Sequence, residues 1–495
     1  MDDNYYEGQS TLADEFMSKE KGFAAFMRGA VENAPWLVAS FLIHVVFFSA
    51  LALFAIGGAD SQTNINLTSE FEKNNTPTPT IEESEPEEEE EVEEVEEEEL
   101  EETEFEEIEE EEEIEGDPEA PSDQPLSDDT LGALGVGAGS PTGAYGHRRG
   151  GGRKRTAKKK GGNEMSEASV DRGLKWLADH QEGDGHWDTK KWGGNGDYDP
   201  GVAGLALLAF AGAGHTERSG KYRNTVRKAI QWLSEVQDPK GNFAPKTTMY
   251  SHAIPTLALL EEVAMAPVPR TRAIAEKGLQ YMISVQNDYK AWRYWPKDGD
   301  NDVSVTTWCV MAMKAAKVAG MDVPAGAWAG VKNFLEEVTE PNYGEVGYTA
   351  RPIKGASETP YQRYSMTACG LLCRLYLGVP RTDRIIKSGV QILMENLPEW
   401  NQPGIAGGAP FYYYWYYGSL TLFQVEGDEW KRWNEKMRDM LVQHQNLTPG
   451  ELYGSWDPTN ATHFCQMGGR VYSTAMAVLT LEVYYRYEII TKAEH

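Results

Sequence analysis

Three aspartates at alternate positions, Asp298, Asp300 and Asp302 in KDGDNDVSVTTW, stand just ahead of an apolar stretch of helical period. Asp302 is placed to cap that helix, and a carboxylate shielded from water there would hold its proton more tightly than usual. The D-x-D-x-D spacing also suits calcium, but no glycine follows at the sixth loop position and no glutamate at the twelfth, which argues against an EF-hand. A second set is aromatic. Phe411 to Tyr417, FYYYWYY, puts rings on every face of one helix, so some of Tyr412, Tyr414 and Tyr416 must look inward, to line a cavity or to fill it, while others pack outward. Tyr250 with His252, Tyr361 with Arg363, and Arg470 with Tyr472 occupy comparable helix starts. His252 reads as a hydrogen-bonded core residue before it reads as a base, and Arg470 as a receptor for carboxylate or phosphate, or as a cap on a neighbouring helix. Four cysteines in 495 residues do not make a disulfide scaffold, and Cys369 and Cys373, one helical turn apart, look like small core residues. The chain has neither a nucleophile elbow nor a G-C-G-E-Q thioester motif.

The elements that must position these groups repeat. RGLKWLADHQEGDGHW, from Arg172 to Trp187, is an amphipathic helix that stops at Gln181 and turns on glycines, so that Trp187 can fold back under the helix end. The phrase returns as Lys228 to Phe243 and Lys277 to Trp292, at a spacing of about 50 residues, which marks stacked supersecondary units. Outer, amphipathic helices are expected from near Val170, Tyr222, Ala273, Gly326, Thr382 and Asp428. Apolar helices are expected between them, at Pro200 to Ala213, Tyr250 to Ala264, Asp302 to Val318, Pro360 to Leu377, Pro410 to Phe423 and Arg470 to Tyr487. Asp199-Pro200 and Thr359-Pro360 pair a capping side chain with proline at the first helical position. The inner helices should all start at one end of the ring, aim their unpaired amides into one mouth, and make that mouth the default ligand site.

Gln181, Gly185 and Trp187, then Gln237, Gly241 and Phe243, then Gln286 with Tyr289 assigned to the glycine place, resemble the Q-x-x-x-G-x-W repeat of the squalene and hopene cyclases and their protein prenyltransferase relatives. The resemblance spans residues 165–490 and implies an all-α, closed (α/α)6 toroid. It also implies a terpenoid role for the aspartates, because such cyclases protonate a polyene with the middle Asp of D-x-D-D. Here D-N-D-V stands instead, so Asp300 and Asp302 are the candidate acids and the second carboxylate is missing. Prenyltransferases hold zinc with Asp, Cys and His. Asp457, His463 and Cys465 supply those types but not that family's D-x-C arrangement, so neither metal nor other cofactor is expected.

Ahead of the ring, residues 1–33 form a short leader expected in the cytoplasm. Residues 34–58, APWLVASFLIHVVFFSALALFAIGG, carry no Lys, Arg, Asp or Glu and are long enough for one transmembrane helix. Lys19, Lys21 and Arg28 precede it, so the positive-inside rule puts the remainder outside the cytoplasm. The expected location is the inner membrane, spanned once, with the toroid on the extracytoplasmic side. Ser40 and His44 share one face of this span, and an ionisable group there is functional by default. The pair, with the long acidic spacer behind it, resembles the S-x-x-x-H signature of TonB-type transducers, which implies coupling to a proton-channel complex of the ExbB and ExbD kind. Residues 59–131 are an acidic, disordered linker, and 132–164 continue it with glycine and the basic cluster of Arg148, Arg149, Arg153, Lys154, Arg155, Lys158, Lys159 and Lys160. The 25 glutamates between Glu82 and Glu115 carry most of the net charge of −32 and leave the rest at about −7, so nucleic acid is not an expected partner. Two functions compete on the sequence: a catalytically silent ring that binds a hydrophobic or peptide-like ligand, and an isoprenoid cyclase or transferase.

Overall fold

The computed structural model describes residues 145–148, 150–353, 359, 361–403, 409–459 and 462–490. The expected span 34–58, with Ser40 and His44, and the acidic linker 59–131 lie outside the described residues. Among those described, no helix is long and apolar enough to cross a membrane.

The described chain is helical, with one isolated antiparallel bridge between Thr339 and Val346. After a 3-10 turn at Gly146–Arg148 come α1 (Gly150–Lys160), α2 (Glu164–Asp179), α3 (Asp199–Gly212), α4 (Arg223–Val236), α5 (Tyr250–Met265), α6 (Pro269–Ser284) and α7 (Val303–Val318). There follow α8 (Ala325–Val338), a π turn at Tyr361–Ser365 continued by α9 (Met366–Tyr376), α10 (Arg384–Met394), α11 (Tyr412–Val425), α12 (Gly427–Gln443), α13 (His463–Leu481) and the short α14 (Val483–Arg486). Each expected outer and inner helix has its counterpart. α3 packs on α5, α5 on α7, α7 on α9, α9 on α11, α11 on α13, and α13 returns to α3, so the inner ring is closed. Outside it, α12 reaches α2, and the outer ring meets its own beginning. Closure removes the apolar ends that an open solenoid would have to cap.

The two kinds of helix follow from their composition. α3 is buried from Gly201 to Gly212, as befits a segment apolar on every face, whereas α4 buries only Val226, Ala229, Ile230 and Leu233 along one stripe. Gly204 lets α3 approach α5 closely: a β-carbon there would lie 2.6 Å from the nitrogen of Pro255. Starts are set by caps. Asn163 and Ser166 form a reciprocal capping box on α2, Asp383 accepts from the Ile385 amide of α10, and Asp302 caps α7 as expected. Asp199 does not cap α3. It is that helix's first residue, and its carboxylate accepts from the amide and hydroxyl of Thr189 instead.

The repeated phrase is a lock between neighbouring outer helices. Gln181 Nε2 donates to the carbonyls of Gly185 and of Thr225 in the next outer helix, both at 2.9 Å, while Trp187 Nε1 donates to Leu177 at 2.7 Å. Gln237 repeats this with Gly241 and Ile274, and Gln286 with Lys290 and Ala327. Lys290, not Tyr289, therefore holds the glycine place, and Trp292 keeps the same spacing as Trp187; the positive φ has moved one residue back, to Tyr289. A further copy, hidden by an insertion, closes the ring. Gln445 Nε2 donates to Ser169 of α2 and to Gly454, and Trp456 Nε1 donates to Leu441.

Within the stretch expected to continue the linker, residues 145–148 and α1 pack onto the ring. Arg148 there is wholly buried. Arg153 of α1 bridges Glu167 at 2.8 Å and Asp171 at 3.0 Å on α2.

Candidate functional site

The inner helices present their N-terminal ends together, and an aromatic cluster fills that mouth. Phe464, at the start of α13, stacks on Tyr413 with ring centroids 4.4 Å apart and planes 6° from parallel. Tyr250 meets it edge-on at 5.6 Å, Tyr361 lies at 6.1 Å and Tyr472 at 6.0 Å. Beside this cluster sits Asp302. Its Oδ1 accepts from the Val305 amide and the Ser304 hydroxyl, both at 2.8 Å, and its Oδ2 accepts from the Tyr348 hydroxyl at 3.4 Å with Arg293 Nε 3.6 Å away. Burial pushes its pKa up to about 6, although the Val305 and Ser304 bonds and the Arg293 charge pull the other way. Hydroxyl pairs Tyr250–Ser304 and Tyr294–Tyr348 complete a polar rim.

The structure divides the sequence candidates. Tyr250, Asp302, Tyr361 and Tyr472 meet at the mouth. Asp300 lies on the exposed loop, paired with Arg293 at 3.2 Å. His252 points instead toward α6: its Nδ1 accepts from the Phe243 amide, its Nε2 donates to the Gly278 carbonyl, and burial lowers its pKa to about 4. Tyr412 donates to Asp457 and packs against Trp400, and Tyr414 donates to the carbonyls of Leu393 and Asn396 near α10, so both fill the layer between the rings. Tyr416 stacks on Trp308 and accepts from Arg486 at the opposite end. Arg470 is spent on Ser455 at 2.9 Å and Asp457 at 2.5 Å. An aromatic at every position from Phe411 to Tyr417 gives no phase, which is why those three tyrosines could not be separated by periodicity. Ser304, Tyr348, Arg293, Tyr294 and Phe464 are additional to the sequence candidates. Tyr294 follows the repeat tryptophan by two residues, but Phe464 gives no sequence signal.

The opposite end, where the inner helices finish, is ionic. Arg148 Nη1 donates to Glu261 at 2.8 Å, and its Nε and Nη2 donate to the carbonyl of Arg486 at 3.1 and 2.6 Å. Arg486 lies 3.4 Å from the other oxygen of Glu261, which also accepts from Tyr487 at 2.7 Å. Burial alone would raise the pKa of Glu261, but Arg486 and Arg148 hold it below the ordinary value. Glu482, also fully buried, has no hydrogen-bond partner on either carboxyl oxygen, and burial lifts its pKa well above the usual range despite the nearby arginines. The sequence signal was present: Glu261 and Glu262 interrupt an otherwise apolar helix, LALLEEVAM.

No family model matches the chain, and no curated protein matches it. Among solved structures, it is similar to the type II terpene cyclase MstE from Scytonema in complex with geranylgeranyl dihydroxybenzoate, at a TM-score of 0.47 and 11% identity over 65% of this chain and 97% of that one. It is also similar to an α-amylase from Clostridium perfringens (TM-score 0.45, 10% identity, 64% of this chain and 97% of that one). A third is an inactive α-1,6-mannanase variant of Salegentibacter in complex with α-1,6-mannotriose, at a TM-score of 0.45 and 10% identity over 65% of this chain and 99% of that one.

Proposed function

We propose that the ring is a binding and scaffold module that takes a hydrophobic or peptide-like ligand at its aromatic mouth, and that it does not cyclise isoprenoids. The engagement of Asp302 carries this reading. An acid that starts a polyene cyclisation must present a free proton to an open apolar cavity, whereas this carboxylate caps α7 with one oxygen and faces Tyr348 and Arg293 with the other, under a stack of rings. The rest of the reading extends to residues 1–144. The segment 34–58 anchors the protein in the inner membrane with the ring on the extracytoplasmic side, and Ser40 and His44 face proton-channel subunits of the ExbB and ExbD kind. The chain joins the ring at the ionic end, away from the mouth, so tether and ligand site do not compete for one surface.

One observation favours the second reading. A pKa of about 6 leaves part of Asp302 protonated near neutrality, as a general acid needs. Incubating the full chain with squalene and with prenyl diphosphates separates the two: the binding module yields no product, and product that disappears in Asp302→Asn overturns it. For the membrane part, photocrosslinking from the His44 face is expected to capture a channel subunit, and repeated failure to do so removes that partner.

A further inference from the structure

α13 differs from the other inner helices at its start. Gly469 interrupts it with φ 58° and ψ −148°, a conformation in which a β-carbon would lie 2.3 Å from the Trp192 carbonyl oxygen and 2.6 Å from the Gly194 nitrogen. Only glycine fits this break. The break gives the turn from His463 to Gly468 a different course from the helix behind it, and this turn carries Phe464, partly buried, into the mouth. There the phenyl ring is surrounded by Tyr250, Tyr361, Tyr413 and Tyr472. The hydroxyl of Tyr472 is buried and has no hydrogen-bond partner, so an occupant that brought a carbonyl oxygen would gain a bond that Phe464 does not supply.

We infer that Phe464 is a built-in plug, swung on Gly469, that occupies the mouth until an aromatic side chain borne on a peptide segment of a partner displaces it. The inference rests on the mouth being the ligand site and specifies both the occupant and its regulation. A phenyl group held by four tyrosines is the template for another phenyl group, and the peptide carbonyl beside it satisfies Tyr472. Because the plug competes within the molecule, apparent affinity is reduced by the fraction of time the mouth is closed.

N-acetyl-L-phenylalaninamide, which carries the Phe464 side chain between two peptide-like groups, is the probe. Its binding to the full-length chain is followed by saturation-transfer NMR, and amide hydrogen exchange is read over residues 463–469. Phe464→Ala is expected to bind at least about tenfold more tightly than wild type, the gain is lost in Tyr413→Ala/Phe464→Ala, and saturating probe speeds exchange of 463–469 in wild type but not of α11. If wild type and Phe464→Ala bind equally, the plug is refuted while the mouth remains a binding site. If neither binds, the ligand-site reading falls and the plug with it. If Phe464→Ala binds but residues 463–469 of wild type exchange as slowly as α11 with and without probe, Phe464 is a fixed part of the core and the plug is refuted.

Discussion

The two ends of the ring close in opposite ways. At the end where the inner helices finish, a segment from outside the repeats inserts a guanidinium into carbonyl oxygens and a buried carboxylate, so the closure is ionic and fully enclosed. At the end where they start, the closure is a cluster of rings, Tyr413 and Tyr472 buried and Tyr250, Tyr361 and Phe464 partly buried, beside a capping carboxylate. A buried charge left without its partner is expensive, whereas a ring withdrawn from a partly exposed stack costs only the apolar area it loses. The ionic end is therefore built to stay shut, while the aromatic end, on the proposed reading, exchanges its contents.

Substitutions at each end test that contrast. Glu261→Ala, which strands Arg148 and Arg486 in the interior, is expected to cost about 3–5 kcal/mol in urea denaturation, and a loss below about 1 kcal/mol would abolish the distinction. Asp302→Ala removes the α7 cap and is expected to cost about 1–2 kcal/mol, while Asp302→Asn, which keeps an oxygen for the Val305 amide, recovers most of it. Phe464→Ala is expected to cost up to about 2 kcal/mol because the ring is partly, not fully, buried, and a larger loss would make the mouth as fixed as the far end.

The weakest expected effect is in the pH dependence. The pKa of His252 falls from its ordinary value to about 4 in the folded state, so its contribution is fully present above about pH 6.5 and is lost as pH falls through 4. The pKa of Asp302 is raised to about 6, so its contribution is present below about pH 4 and is lost as pH rises through 6. The two slopes oppose each other between those limits. Thermal melts of Asp302→Asn and His252→Asn across pH 4 to 7 should each lack one slope, and parallel curves for wild type and both variants would contradict these assignments.

Much of the ring could be read from the chain. The three glutamine phrases located the first three outer helices, because an amide that reaches two carbonyls recurs at the same spacing, with an indole that reaches a third in two of them. The apolar stretches between them located the inner helices. The copy at Gln445 and Trp456 escaped because an insertion lengthens its turn, although its side chains make the same bonds. The site was less legible. His252 and Tyr250 are two residues apart on one helix yet face different layers, and residue type alone does not choose between a bond to Ser304 and one to Gly278.

By itself, the sequence determined the helical period, the alternation of apolar and amphipathic helices and the cap at Asp302, since each depends on neighbours within a few residues. Only the tertiary structure decided that Arg148, from a glycine-rich basic stretch, would meet Glu261 and Arg486, and that Phe464 would lie among tyrosines of four other positions. Those contacts join residues up to 338 positions apart, and they exist only because the ring closes on itself. No local pattern encodes a partner that closure supplies.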